Sequence, residues 1–70
     1  MSIVEIIENY GRALTVDELA ELTRVSTQTI YRHIKAKKLP AYHIGTLVRL
    51  DPKATAEWLR SRINQILYAI

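Results

Sequence analysis

Thr15-Val16-Asp17-Glu18-Leu19-Ala20-Glu21-Leu22-Thr23-Arg24-Val25-Ser26-Thr27-Gln28-Thr29-Ile30-Tyr31-Arg32-His33-Ile34 is the stretch on which the reading of the whole chain turns. It contains two helix starts close together. Thr15-Val16-Asp17-Glu18 has capping-box spacing: the threonine hydroxyl accepts from the amide three residues on, and the glutamate reaches back. Asp17 and Glu18 also suit the positive end of the helix dipole. The helix runs on through Val16, Leu19, Ala20 and Thr23, with Leu22 flanking. At about two turns it is too short to stand alone and must pack on something. Ser26 is the second N-cap. A helix from Thr27 to about Lys37 follows, with Ile30 and Ile34 as its buried pair. Two short helices joined at Arg24-Val25 and a capping serine have helix-turn-helix spacing. Ala20 fits a close approach of the two helices, and Val25 plugs their corner.

Working outward, Ser2 to Tyr10 reads as a short helix with Ile3, Ile6, Ile7 and Tyr10 on one stripe and Glu5, Glu8 and Asn9 opposite. Gly11 closes it. On the other side Pro40 stops the second motif helix and biases Leu39 to an extended backbone. Ala41-Tyr42-His43-Ile44, Gly45-Thr46 and Leu47-Val48-Arg49-Leu50 form a tight hairpin, with glycine placed for a type II′ turn. Asp51-Pro52 opens a last helix as N-cap and first position. Its apolar side is Trp58, Leu59, Ile63, Ile66, Leu67 and Ile70. The layout is mainly α with a small β-hairpin: helix, helix-turn-helix, hairpin, helix, the order of a winged helix-turn-helix. Residues 1–70 are expected to form a single domain, without repeats or linkers.

Seventy residues bury a thin core. With no cysteine, disulfides and thiolate metal sites are excluded. His33 and His43 have no carboxylates arranged beside them, so no metal or other cofactor is expected. Serines 2, 26 and 61 lack a coherent base, so no catalytic residue is assigned and the chain is not expected to be an enzyme. No membrane span or small-molecule substrate is indicated. The net charge is +3, and its distribution says more than its size. From Leu22 through Leu50 there is no acid, while Arg24, Arg32, Lys35, Lys37, Lys38 and Arg49 are all cationic. One sign of charge across the middle of a small domain projects a positive patch.

The run Leu14 to Leu22, then Val25-Ser26 and Thr29-Ile30-Tyr31-Arg32, resembles the excisionase-type domain of the MerR-like superfamily. Leu39-Pro40-Ala41, Ile44-Gly45, Arg49-Leu50 and Trp58-Leu59 continue the likeness in the same order, over residues 14–60. The resemblance implies a winged helix-turn-helix on duplex DNA, with the second motif helix in the major groove and the hairpin on the neighbouring minor groove or backbone. It also implies a prokaryotic or phage-like, nucleoid-associated cytoplasmic setting. Five residues depart from the family pattern. Arg24 stands where glycine is usual, and His33 stands where an apolar residue is common and is therefore expected to be half-buried. Thr46-Leu47 replaces the basic wing tip, and Val48 replaces an aromatic.

Gln28 and Arg32 are the expected base readers, since glutamine pairs with adenine and arginine with guanine through two hydrogen bonds. Thr27 and Thr29, near the helix start, and the Tyr31 hydroxyl are placed for phosphates. Lys35, Lys37 and Lys38 supply electrostatic footing, and Arg49 is the wing cation. The expected function is sequence-specific binding of double-stranded DNA, as an excisionase-like recombination directionality factor or a small transcriptional regulator. An integrase or recombinase, or another copy of the chain on DNA, is the further partner. The alternative is a winged-helix module that binds another protein and whose basic face is incidental. The C-terminal stripe either covers the first helix or forms a dimer seam.

Overall fold

The computed structural model describes residues 2–69, with side chains described through residue 62. Its elements are α1 (Ile3–Glu8), α2 (Val16–Thr23), α3 (Thr27–Lys35), β1 (Tyr42–Ile44), β2 (Leu47–Arg49) and α4 (Pro52–Ala69). The expected winged helix-turn-helix is formed.

Each helix begins where a side chain can cover its free amides. Thr15 Oγ1 accepts from the Glu18 amide at 3.0 Å, and Glu18 Oε1 accepts from the Thr15 amide at 2.9 Å. Ser26 Oγ accepts from the Thr29 amide, and Asp51 Oδ2 accepts from the Ala54 amide. A further capping box, Ser2 with Glu5, starts α1. It obeys the same spacing rule.

Helix α1 is shorter than the expected Ser2–Tyr10. It stops at Glu8 with Asn9 as cap, and Gly11, at φ +85°, turns the chain beyond it. Its buried side is Val4 and Ile7, with Ile3 and Tyr10 half-buried against the same core as expected, while Ile6 is exposed and Val4 takes the inward place. Six residues cannot hold a helix in water. Packing against α4 holds it, and Glu8 meets Arg60 of α4 at 3.6 Å.

The turn between α2 and α3 bears the mark of the missing glycine. Arg24 sits at φ 60°, ψ 30°, the left-handed region, and the Val25 amide closes back onto the Ala20 carbonyl at 3.2 Å. Helix α3 also ends early, at Lys35 rather than about Lys37. Lys37 turns left-handed at φ 61°. Its amide bonds the Ile34 carbonyl, and the Lys38 amide bonds the His33 carbonyl, the pairing of a Schellman motif. The helix is thus closed before Pro40 is reached, and Leu39 folds into the core at 1% exposure.

The hairpin pairs Tyr42 with Arg49, His43 with Val48 and Ile44 with Leu47. Gly45 has φ +63° and Thr46 does not share that sign, the pattern of a type II′ turn. Leu14, just before α2, forms an antiparallel bridge with Leu50, just after β2, through two backbone hydrogen bonds of 2.9 Å. The core comprises Val4, Ile7, Leu14, Val16, Leu19, Ile30, Leu39, Leu50 and Ala56, drawn from all four helices, the lead into α2 and the segments that flank the hairpin. Helix α4 turns Thr55 and Ala56 fully inward, with Trp58 and Leu59 partly buried beside them. Its expected apolar stripe at Ile63, Ile66, Leu67 and Ile70 lies outside the described side chains. Among the described residues no helix is long and apolar enough to cross a membrane.

Glu18 ties α1's exit to α2. Besides its cap bond, it accepts from Tyr10 Oη at 2.8 Å and Arg12 Nη2 at 2.6 Å. The Thr15 amide first, then the Arg12 and Tyr10 donors, hold its carboxyl down from 4.5 to about 2. A carboxylate with a depressed folded-state pKa stabilises the fold above its unfolded value, and that contribution disappears as the pH falls towards the folded value. Stability is therefore expected to decline from about pH 4.5 to about pH 2, and Glu18→Gln to flatten that decline in acid titrations followed by circular dichroism. Arg24→Gly, which relieves a side chain held left-handed, is expected to raise stability in urea by about 0.5–1 kcal/mol.

Candidate nucleic-acid interface

Burying Ile30 and half-burying Ile34 sets the rotation of α3, and everything else about its surface follows. At about 100° per residue the side opposite is Gln28, Arg32 and Lys35, and all three are exposed. Thr27, Thr29 and His33 are half-buried on the flanks, and Tyr31 is 49% exposed. The helix thus presents Gln28, Arg32 and Lys35 as one outward stripe with Tyr31 at its edge, while Thr27 and Thr29 lie off it, half-buried. Thr29 is also engaged. Its hydroxyl lies 2.9 Å from Ser26 Oγ within the cap, so it already has a partner.

The basic footing gathers at the end of α3. Lys35 lies in the last turn, while Lys37 and Lys38 stand exposed in the closing turn beyond it. None of Arg32, Lys35, Lys37 and Lys38 is in an ion pair among the described residues. By contrast, Arg12 and Arg60 are engaged with Glu18, Glu8 and Glu57.

Tyr31 faces the hairpin. It lines one cleft with Lys35, His43 and Val48, and another with Leu47, Arg49 and the start of α2. Arg49 is half-buried there, and its Nη1 donates to the Val48 carbonyl at 2.9 Å. The wing cation is therefore folded back along its own strand. Tyr42, Ile44 and Leu47 are 43%, 62% and 52% exposed, so the hairpin surface near its tip is apolar rather than basic.

On the other flank of α3, His33 meets α4. Its ring lies edge-on to Trp58 at 5.5 Å, and its Nδ1 accepts from Arg62 Nη2 at 2.9 Å. Burial, then Arg62, Lys38 and Arg32, hold its pKa below the ordinary imidazole value. A neutral ring with its proton on Nε2 is the form that can accept from arginine. The half-buried site foreseen for His33 is thus occupied by a contact with Arg62. Arg62 lies on α4 beside an apolar side that does not by itself point to it. Its signal was the i, i+4 spacing from Trp58. Among the described residues no group of acids and histidines could hold a metal ion.

These elements define a winged helix-turn-helix domain. Residues 13–63 match the helix-turn-helix domain family, and the chain belongs to it. Two curated proteins of Mycobacterium tuberculosis, one from each of two strains and both provisionally named DNA-binding proteins, are each 42% identical to it over 48 residues. The alignment covers 69% of this chain and 62% of each relative, so the chain spans less than two thirds of their length. No solved structure matches the chain.

Proposed function

We propose that the chain binds double-stranded DNA in a sequence-specific way, with α3 in the major groove and the hairpin over the neighbouring minor groove or backbone. The observation that carries this reading is the outward stripe of Gln28, Arg32 and Lys35, exposed within an acid-free stretch of a helix-turn-helix. Gln28 and Arg32 read base edges by paired hydrogen bonds. Lys35, Lys37 and Lys38 neutralise phosphates and carry no sequence information. Thr27 and Tyr31 reach phosphates at the edges of the groove, with Thr29 contributing mainly to the cap, and Arg49 lends its charge to the base of the wing. The names of the mycobacterial relatives support a DNA-binding role.

The finer role we infer is that of an excisionase-like, MerR-like recombination directionality factor or small transcriptional regulator. Both act by occupying and shaping DNA beside another protein, an integrase or a second copy of the chain. A function as a protein-binding module is favoured by one observation, the exposed apolar surface of Tyr42, Ile44 and Leu47 on the hairpin. The two readings part on salt, because phosphate contacts weaken steeply with ionic strength and an apolar interface hardly responds.

Anisotropy titrations on a selected duplex are expected to show binding that falls with salt; no binding even at low salt would overturn the DNA reading. Arg32→Ala should cost about 1–3 kcal/mol on the selected site and flatten preference at one base position. Equal weakening on all sequences would make Arg32 a phosphate contact instead. Thr46→Arg is expected to tighten binding without changing the preferred site, since it adds a contact blind to sequence. Unchanged affinity would mean that the wing tip stands clear of DNA.

A further inference from the structure

The outward stripe of α3 has a different neighbour on each flank. Tyr31 borders the hairpin, and His33 borders α4 through Trp58 and Arg62. A helix lying in the major groove has a phosphate strand along each edge. The strand on the hairpin side meets an apolar tip and an Arg49 already bonded to Val48. The strand on the other side meets something better prepared.

There, Arg62 is held in place before any ligand arrives. Nη2 donates to His33 Nδ1 at 2.9 Å, and the guanidinium carbon lies 5.8 Å from the Trp58 ring centroid. Among the described residues no carboxylate pairs with it. Lys38 and Ser61 line the same shallow pocket with Arg62 and Trp58. Two cations and a hydroxyl converge there with no acid among the lining residues, which is a donor set suited to a tetrahedral anion.

We propose that Arg62, Lys38 and Ser61 form a clamp for a DNA backbone phosphate, on the side of α3 away from the hairpin. The proposal rests on the reading of the chain as a duplex-binding protein, and it adds α4 to the backbone grip already assigned to Lys35, Lys37 and Lys38. Arginine matches a phosphate with two parallel hydrogen bonds, lysine adds a point charge, and serine donates one hydroxyl. His33 is a positioning residue. It engages one guanidinium nitrogen and leaves Arg62's remaining donors for the phosphate. A side chain already fixed in this way loses less rotamer entropy on binding than a free surface arginine would.

The test is a salt series on the full chain with its selected duplex, comparing wild type with Arg62→Gln, Arg62→Lys and Ser61→Asp. Ser61 is exposed, so its variant leaves the packing alone. For each phosphate no longer gripped, the drop in affinity between 50 and 200 mM salt should shrink about three- to fourfold, reflecting a slope smaller by about 0.9. Arg62→Gln and Ser61→Asp are expected to show that smaller slope on every sequence with base preference unchanged, and Arg62→Lys to recover most of the slope. Arg60→Gln, whose arginine is engaged with Glu8 and Glu57, should keep the wild-type slope. Wild-type affinity and slope in both Arg62→Gln and Ser61→Asp would overturn the clamp while leaving α3 as the reader. A wild type that binds no duplex would instead overturn the DNA reading on which the clamp rests, and the same titration separates the two failures.

Discussion

The fold depends on a bridge only one residue wide. Leu14 and Leu50 exchange two backbone hydrogen bonds of 2.9 Å, and both side chains are fully buried. The bridge joins the segment entering α2 to the residue leaving β2, so the helix-turn-helix and the hairpin share one anchor. A hairpin of three-residue strands is not stable by itself. Fastened at its base, it holds a defined position beside α3. Burying each leucine contributes about 1.5–3 kcal/mol, which is a large share of the stability of a seventy-residue domain. The rotation of α3, and hence which of its side chains face outward, follows from Ile30 entering the same core.

Charge is divided by the same frame. Glu18 takes Arg12, and Arg60 takes Glu8 and Glu57, so these opposite charges are satisfied within the α1, α2 and α4 side of the molecule. Among the described residues no carboxylate pairs with the cations of the acid-free stretch from Leu22 through Leu50. Arg32, Lys35, Lys37 and Lys38 therefore project their field outward, where a polyanion would meet it. The wing adds little to that field.

Much of this was legible in the residues, because it rests on local rules. Thr15 with Glu18, Ser26, Asp51-Pro52 and Gly45 each specify a cap or a turn within a few positions, and each is found where its spacing places it. The helix-turn-helix and its outward stripe follow from those starts and from the Ile30–Ile34 spacing. Ser2 with Glu5 obeys the same rule at the start of α1. What was not legible depends on the backbone or on distant partners. The early end of α3 is made by a left-handed Lys37, a conformation that lysine does not advertise. The Leu14–Leu50 bridge joins residues far apart in sequence, and the His33–Arg62 contact spans twenty-nine positions. Neither leaves a periodic trace.

Whether α3 meets duplex DNA with its outward stripe is tested most directly by chemical-shift mapping of labelled protein titrated with the selected duplex. The largest changes are expected at Gln28, Arg32 and Lys35, continuing to Lys38. Changes confined to Tyr42, Ile44 and Leu47, with α3 unmoved, would contradict that placement.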